Sequence, residues 1–121
     1  MQLKESKTNY LIFTRSRQEF ETRLTVNNKL IERQEHVQLL GVWLQPDGGW
    51  GKQVKELCKK AYRRMSVLTK LRYAGVSRKE LVHNYKQLIR TALEYCSVAI
   101  HSSLTEAQSS SLEHCQDVAL R

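Results

Sequence analysis

The residues with the clearest capacity to bind a ligand are the cations between Lys59 and Arg72. This stretch, KKAYRRMSVLTKLR, contains six lysines and arginines and no acidic residue. Lysine and arginine side chains neutralise the phosphates of nucleic acids, and such contacts give affinity without reading base sequence. The chemistry that this stretch predicts is therefore the binding of a polyanion.

Charge is distributed unevenly along the chain. The 121 residues include 20 Lys and Arg against 12 Asp and Glu, a net charge of +8. Residues 49–90 hold twelve basic and two acidic residues, whereas residues 91–121 hold one basic and four acidic residues. A polyanion would meet the middle of the chain first, and nucleic acid is the commonest intracellular partner of this kind.

Helical spacing brings these cations together on two faces. A first helix places most of its cations along one side, with two more widening the row, and a second helix repeats the arrangement. The predicted nucleic-acid-binding residues are Lys52, Lys55, Lys59, Lys60, Arg63, Arg64, Lys79, Lys86 and Arg90. Glu56 is almost the only acidic residue among those of the first helix. Its isolation favours phosphate binding, because a solvated helix usually mixes charges for i,i+4 pairing.

Two other interpretations of the basic residues stay open. Any amphipathic helix exposes a charged face to solvent, whether or not a ligand binds there. The segment KKAYRR also matches a nuclear-localisation signal, a short pattern that occurs often by chance. Binding to nucleic acid distinguishes the phosphate-binding interpretation from both.

No catalytic or metal-binding set is predicted. Metal-assisted phosphoryl chemistry needs at least two converging carboxylates, and the two aspartates, Asp47 and Asp117, are seventy residues apart. The segment GGWG lacks the Lys-Ser/Thr ending of a phosphate loop. A group of cysteines and histidines in the last third does not have the usual spacing of zinc ligands: Cys96, His101, His114 and Cys115. We therefore expect no cofactor in this chain.

Two hydrophobic patterns predict the elements that position these residues. From Thr8 to Leu44, β-branched and aromatic residues occur in the runs TNYLIFT, TRLTV, KLIE and HVQLLGVWL, which predict strands. The asparagines in Val26-Asn27-Asn28-Lys29 tolerate left-handed backbone and predict a tight hairpin. The segment PDGG then ends the β region, since proline lacks a donor and glycines permit turns.

After PDGG the apolar spacing changes to about 3.6 residues, which predicts three helices. The first ends before Gly75, a residue suited to a left-handed cap. Ser77 to Glu80 and Thr105 to Gln108 match the capping box that opens a helix. We expect an α+β fold in which short antiparallel β-strands, residues 1–48, precede a three-helix bundle, residues 49–121.

The sequence also predicts an intracellular protein, nuclear or cytoplasmic, that is not secreted. Its first residues, MQLKESKTNY, lack the apolar segment of a signal peptide. The longest apolar run, LLGVWL, is too short to cross a membrane. Three cysteines at wide spacing argue against a disulfide framework and favour a reducing compartment.

Five segments, taken in order, resemble a known family. They are KTNYLIFTR, HVQLLGVWLQPDGGW, the basic helix, LIRTALEYCS and SLEHCQDVALR. Together they are similar to the C-terminal part of a non-LTR (LINE-type) retrotransposon reverse transcriptase, over nearly the whole chain. Each segment alone is common, whereas their order and spacing are fairly specific.

The resemblance implies roles for particular residues. Lys7, at the end of the palm, corresponds to a lysine near the phosphates of the incoming nucleotide. The helices from Trp50 onward correspond to the thumb, which holds the template–primer duplex. A short hairpin corresponds to the primer grip: Leu39, Leu40, Gly41 and Val42.

The same resemblance implies partners. The thumb would bind an RNA–DNA hybrid or a primer–template, while the fingers and the Tyr-Ala-Asp-Asp box that binds catalytic Mg²⁺ would precede Met1. We therefore expect a fragment of an RNA-directed DNA polymerase that is not catalytic alone, with Mg²⁺ needed only by the full polymerase. The alternative is a structural or protein-interaction remnant that self-associates or pairs with a polymerase core through bared apolar residues such as Leu11 and Phe13.

Overall fold

A computed structural model describes residues 2–18 and 21–121. Two hairpins occupy the first part of the chain. Strand β1 (Thr25–Val26) pairs antiparallel with β2 (Lys29–Leu30), and β3 (Val37–Leu39) pairs antiparallel with β4 (Val42–Leu44). Asn27 and Asn28 have φ angles of 51° and 63°, so the predicted tight hairpin is confirmed. Positive φ at both central residues matches the right-handed twist of the flanking strands.

The prediction of a strand in TNYLIFT is wrong apart from one isolated parallel bridge, Tyr10 to Arg33. A strand needs a continuous ladder with one partner, and the polar groups of this segment instead bond to three different places. The Tyr10 hydroxyl donates to the Thr22 carbonyl, and the Tyr10 carbonyl accepts from the Gln34 amide. The Thr14 amide donates to the Pro46 carbonyl.

Helix α1 (Gly51–Tyr73) follows the PDGG turn. Its core-facing residues Val54, Leu57 and Ala61 are buried, as the i, i+3, i+4 spacing predicts. The helix ends in the cap expected at Gly75, whose φ is 80°. The amides of Gly75 and Val76 donate to carbonyls of the last helical turn, at 3.1 and 3.2 Å, in the pattern of a Schellman motif.

The second helix begins at the predicted capping box. Ser77 accepts from the Glu80 amide at 3.4 Å, and the Glu80 carboxylate accepts from the Ser77 amide at 3.2 Å. The hydrogen bond from the Ser77 side chain lowers the pKa of Glu80. The helix runs through α2 (Arg78–Tyr85), a π-helical turn (Lys86–Arg90) and α3 (Thr91–Glu94).

The π-helical turn aligns the buried residues of this helix. Buried Tyr85, Ile89 and Leu93 are four residues apart, and a step of four residues turns about 40° beyond a full α-helical turn. On a regular α-helix the three would span about 80°, which is still one apolar face. The wider i→i+5 turn reduces this span, so the three buried side chains lie closer to one line along the helix.

The last helical segments complete the second unit. Cys96 has a left-handed φ of 58° and separates α3 from α4 (Ser97–Ile100). A 3-10 turn (His101–Ser103) leads to α5 (Glu106–Leu120), which opens with the predicted Thr105–Gln108 capping box. Cys115 of α5 is buried in the core.

The chain divides into two compact units, Met1–Gly49 and Trp50–Arg121. In the second unit one core cluster joins α1, the second helix, α4 and α5: Leu57, Ala61, Tyr85, Ile89, Leu93, Ile100 and Cys115. The predicted α+β class, with short antiparallel strands followed by three helices, is confirmed. Among the helices that the structure describes, none is long and apolar enough to cross a membrane.

Candidate nucleic-acid interface

Three cations of α1 form the clearest candidate surface, which we call the α1 ridge: Lys55, Lys59 and Arg63. They are spaced by four residues, so they follow one side of the helix, and all three are exposed. This side lies roughly opposite the buried residues Leu57 and Ala61. The α1 ridge is therefore available to a ligand without any rearrangement of the core.

The α1 ridge is not neutralised by neighbouring carboxylates. Within residues 2–18 and 21–121, no ion pair involves Lys55, Lys59 or Arg63. An unpaired cation loses no internal ion pair when it binds a phosphate. Three adjacent unpaired cations also raise the local positive potential.

Two predicted binding residues are engaged in ion pairs of their own helix. Lys52 is half-buried and lies 3.5 Å from Glu56, and the Nε of Arg90 donates to Glu94 at 2.7 Å. The hydrogen bond and charge of Glu94 raise the pKa of Arg90. Both cations would have to exchange a carboxylate for a phosphate, so their net gain on binding is smaller than that of the α1 ridge.

Arg64 has a structural contact although it adjoins the α1 ridge in sequence. Its Nη1 donates to the carbonyl oxygen of Leu88 at 2.5 Å, in a partly buried position. Leu88 lies in the π-helical turn, where the regular i→i+4 hydrogen bonds are interrupted. Arg64 therefore links α1 to the second helix, and its guanidinium points away from the α1 ridge.

The remaining predicted cations are exposed. Lys60 lies on α1 between the α1 ridge and the side of Arg64, Lys79 is in the first turn of α2, and Lys86 is the first residue of the π-helical turn. The described residues form no ion pair with any of these three. They extend the positive surface to the second helix.

Two exposed tyrosines on the same side of α1 as Lys55 and Lys59 were not predicted from the sequence. Tyr62 is half-exposed, and Tyr73 is 87% exposed at the end of α1. Eleven residues make about three helical turns, so both lie near the line of Lys55 and Lys59. A hydrogen bond with the Cys115 side chain raises the pKa of Tyr62. Exposed aromatic rings among cations can stack on nucleic-acid bases, and a helical projection of α1 would have found them.

The residues to which the sequence resemblance assigns palm and primer-grip roles lie in the first unit. Lys7 is exposed at the end of a 3-10 turn, Glu5–Lys7. Leu39 pairs with Val42 across the second hairpin, and Leu40 and Gly41 form its two-residue tip. Leu40 is 84% exposed, so the tip presents an apolar side chain to solvent.

Replacing Leu40 by asparagine is expected to stabilise this hairpin by about 1 kcal/mol. Leu40 has a φ of 50°, a left-handed conformation that costs most residues with a Cβ about 1–2 kcal/mol and that asparagine adopts more readily. Amide hydrogen exchange in β3 and β4 measures the change. Leu40→Ala, which keeps a Cβ in the same conformation, is the control, and equal protection in both variants would contradict the strain at this position.

Cysteine and histidine side chains do not assemble a metal site in the described parts of the chain, where no group of three or more His, Cys, Asp or Glu could hold an ion. Cys58 instead contacts Cys115 across α1 and α5, and its Sγ lies 3.8 Å from the Ser111 carbonyl oxygen. Burial and the hydrogen bond with Cys115 raise the pKa of Cys58 to about 12. This thiol therefore stays protonated and unreactive at neutral pH.

The raised pKa of Cys58 predicts a loss of stability in alkali. The unfolded thiol ionises near pH 9.0, whereas the folded thiol does so at about 12, so the unfolded state releases its proton first and the free energy of unfolding falls as pH rises through this window. Urea unfolding at pH 8 and pH 10.5 measures the fall. We expect a smaller fall in Cys58→Ala, and an equal fall in both proteins would contradict the assignment.

Comparison with known proteins identifies no relative: no protein-family model, curated protein or solved structure matches this chain.

Proposed function

We propose that this chain binds template–primer nucleic acid, most naturally an RNA–DNA hybrid, without sequence specificity, as the thumb-like part of a reverse transcriptase. The observation that carries the proposal is the α1 ridge, three exposed cations on one helix side without an ion-pair partner in the described parts of the chain. Contacts to phosphates position a duplex without reading its sequence. Lys60, Lys79 and Lys86 add exposed positive charge.

The polymerase part of the proposal depends on the resemblance of the five segments to non-LTR reverse transcriptases. The fold supports it to the extent that short antiparallel hairpins precede a three-helix unit, the order expected of a palm end and a thumb. No polymerase activity is proposed for this chain alone. Primer extension with the chain alone and with added polymerase fragments tests that statement.

The salt dependence of binding tests the proposed function. A fluorescently labelled RNA–DNA hybrid is titrated with the chain at several salt concentrations, and we expect a log–log slope of roughly −4 to −6 because several phosphates release counterions. A hybrid of unrelated sequence should give the same affinity and slope. A slope near zero, or tight binding to only one sequence, would sink the proposal.

A second candidate function, self-association or pairing with a polymerase core, has its own supporting observation. In the described part of the first unit, Ile31 is the one buried hydrophobic residue, while several large apolar side chains are exposed: Leu3, Phe13, Leu30, Leu39 and Leu40. Exposed apolar groups of this kind favour association. Sedimentation at increasing chain concentration, without nucleic acid, tests this function separately from hybrid binding.

A further inference from the structure

An apolar groove of about 680 Å³ lies in the second unit between the last turns of α1, the first turns of α2 and the end of α5. Its apolar surface comes from all three helices, including Leu68 of α1, Leu81 and Val82 of α2, and Val118 of α5. Val82 and Val118 are 44% and 39% exposed. The three helices therefore leave part of their apolar faces uncovered at this end of the unit.

The charged side chains that line the groove all have one sign. Arg72, Arg78 and Arg121 line it, and no aspartate or glutamate is among its lining residues. The cations of the α1 ridge, Lys55, Lys59 and Arg63, do not line it. The groove is thus a second positive surface, distinct from the α1 ridge in its apolar floor.

The dimensions of the groove match a helix. Its α1 wall extends from Met65 to Arg72 and its α2 wall from Arg78 to Tyr85, each about 10 Å at 1.5 Å per residue. This length equals the distance between the first and last anchors of an amphipathic helix with apolar residues at i, i+4 and i+7. Such anchors would reach the uncovered apolar faces and complete a four-helix arrangement.

We propose that this groove binds an acidic amphipathic helix of a partner protein. Three apolar side chains on one face would bury against Leu68, Leu81 and Val82, and carboxylates beside them would approach Arg72 and Arg78. Opposite charges at the rim give orientation and selectivity, while the apolar anchors supply most of the affinity. A nucleic acid fits this groove less well than an apolar helix face, because its floor offers aliphatic groups and Tyr85 is buried.

A synthetic helical peptide tests the proposal. The probe has leucines at i, i+4 and i+7 flanked by glutamates, and its fluorescence anisotropy is measured against the whole chain. The matched peptide has lysine in place of every glutamate. We expect binding of the acidic peptide and at least about tenfold weaker binding of the lysine peptide, a difference of about 1.4 kcal/mol. Equal binding of both peptides, or binding of neither, would overturn the proposal.

Variants of the chain locate the binding site. Arg72→Glu/Arg78→Glu should lower the affinity for the acidic peptide at least about tenfold. Lys59→Glu/Arg63→Glu, with the same change in net charge, should change this affinity by no more than about twofold. Val82→Asp, at a half-exposed groove position, should also abolish binding while the circular dichroism spectrum stays unchanged. An equal loss of peptide affinity in both double variants would show that only net charge matters and would overturn the proposal.

Two further measurements distinguish a partner helix from a second copy of the chain, and distinguish the groove proposal from the proposed function. If Arg72→Glu/Arg78→Glu changes the sedimentation of the chain alone, a second copy occupies the groove and the partner-helix proposal is wrong. Hybrid binding by the unchanged chain tests the proposed function separately, because the α1 ridge does not line the groove. If the peptide fails to bind while the hybrid still binds with the expected salt dependence, only the groove proposal is wrong.

Discussion

Reversing the charge of the α1 ridge, with Lys55, Lys59 and Arg63 all changed to glutamate, is expected to weaken binding of an RNA–DNA hybrid at least about 100-fold near physiological salt. Each cation that contacts a phosphate contributes about one unit to the salt slope, so we expect the slope to become shallower by about three. The reversed charges also repel the duplex. Anisotropy titrations at three salt concentrations measure both quantities.

The matched control changes three exposed cations of the first unit, Lys4, Arg15 and Arg17, to glutamate. It alters the net charge by the same amount but leaves the α1 ridge intact. We expect its affinity for the hybrid to fall only a few-fold, through long-range electrostatics. Comparable losses in the two triple variants would show that net charge, and not the α1 ridge, accounts for binding.

Replacing Arg64 by methionine is expected to lower the free energy of unfolding by about 2 kcal/mol, since a charged donor to a partly buried carbonyl contributes about 1.5–3 kcal/mol. Methionine retains most of the apolar length of the arginine side chain, so the loss reports the hydrogen bond to Leu88. Urea denaturation measures it. Under folding conditions the hybrid affinity should change by no more than about twofold.

The neighbouring Arg63→Met is the matched control, with the opposite expected result. Arg63 is exposed and makes no ion pair within the described residues, so its removal should change stability by less than about 0.5 kcal/mol and weaken hybrid binding several-fold. Two adjacent arginines of one basic cluster would then differ completely in role. If Arg64→Met weakens hybrid binding as much as Arg63→Met while the chain stays equally stable, the structural role assigned to Arg64 is wrong.

Local signals in the sequence predicted most of the secondary structure correctly. The capping boxes at Ser77 and Thr105, the left-handed cap at Gly75 and the Asn27-Asn28 hairpin each depend on residues close together in the chain. Their geometry follows from backbone preference and short-range hydrogen bonds. The α1 ridge was also predictable from local sequence, because residues spaced by four lie on one face of a helix.

Long-range packing determined the features that local signals did not predict. Nothing local in TNYLIFT shows that its polar groups bond to three separate segments, and β propensity alone predicts a strand there. No local pattern predicts the π-helical turn either, which brings the buried residues Tyr85, Ile89 and Leu93 closer to one line. Both features depend on partners far away in sequence.

By itself, the sequence determined that the chain has helices with a concentrated positive charge, because composition and helical period are properties of neighbouring residues. Only the tertiary structure decided which cations remain available to a ligand. It assigned Arg64 to the Leu88 carbonyl and left Arg63 exposed. The physical reason is that a side chain's partner depends on what packs against its helix, and one step of about 100° around α1 separates these two environments.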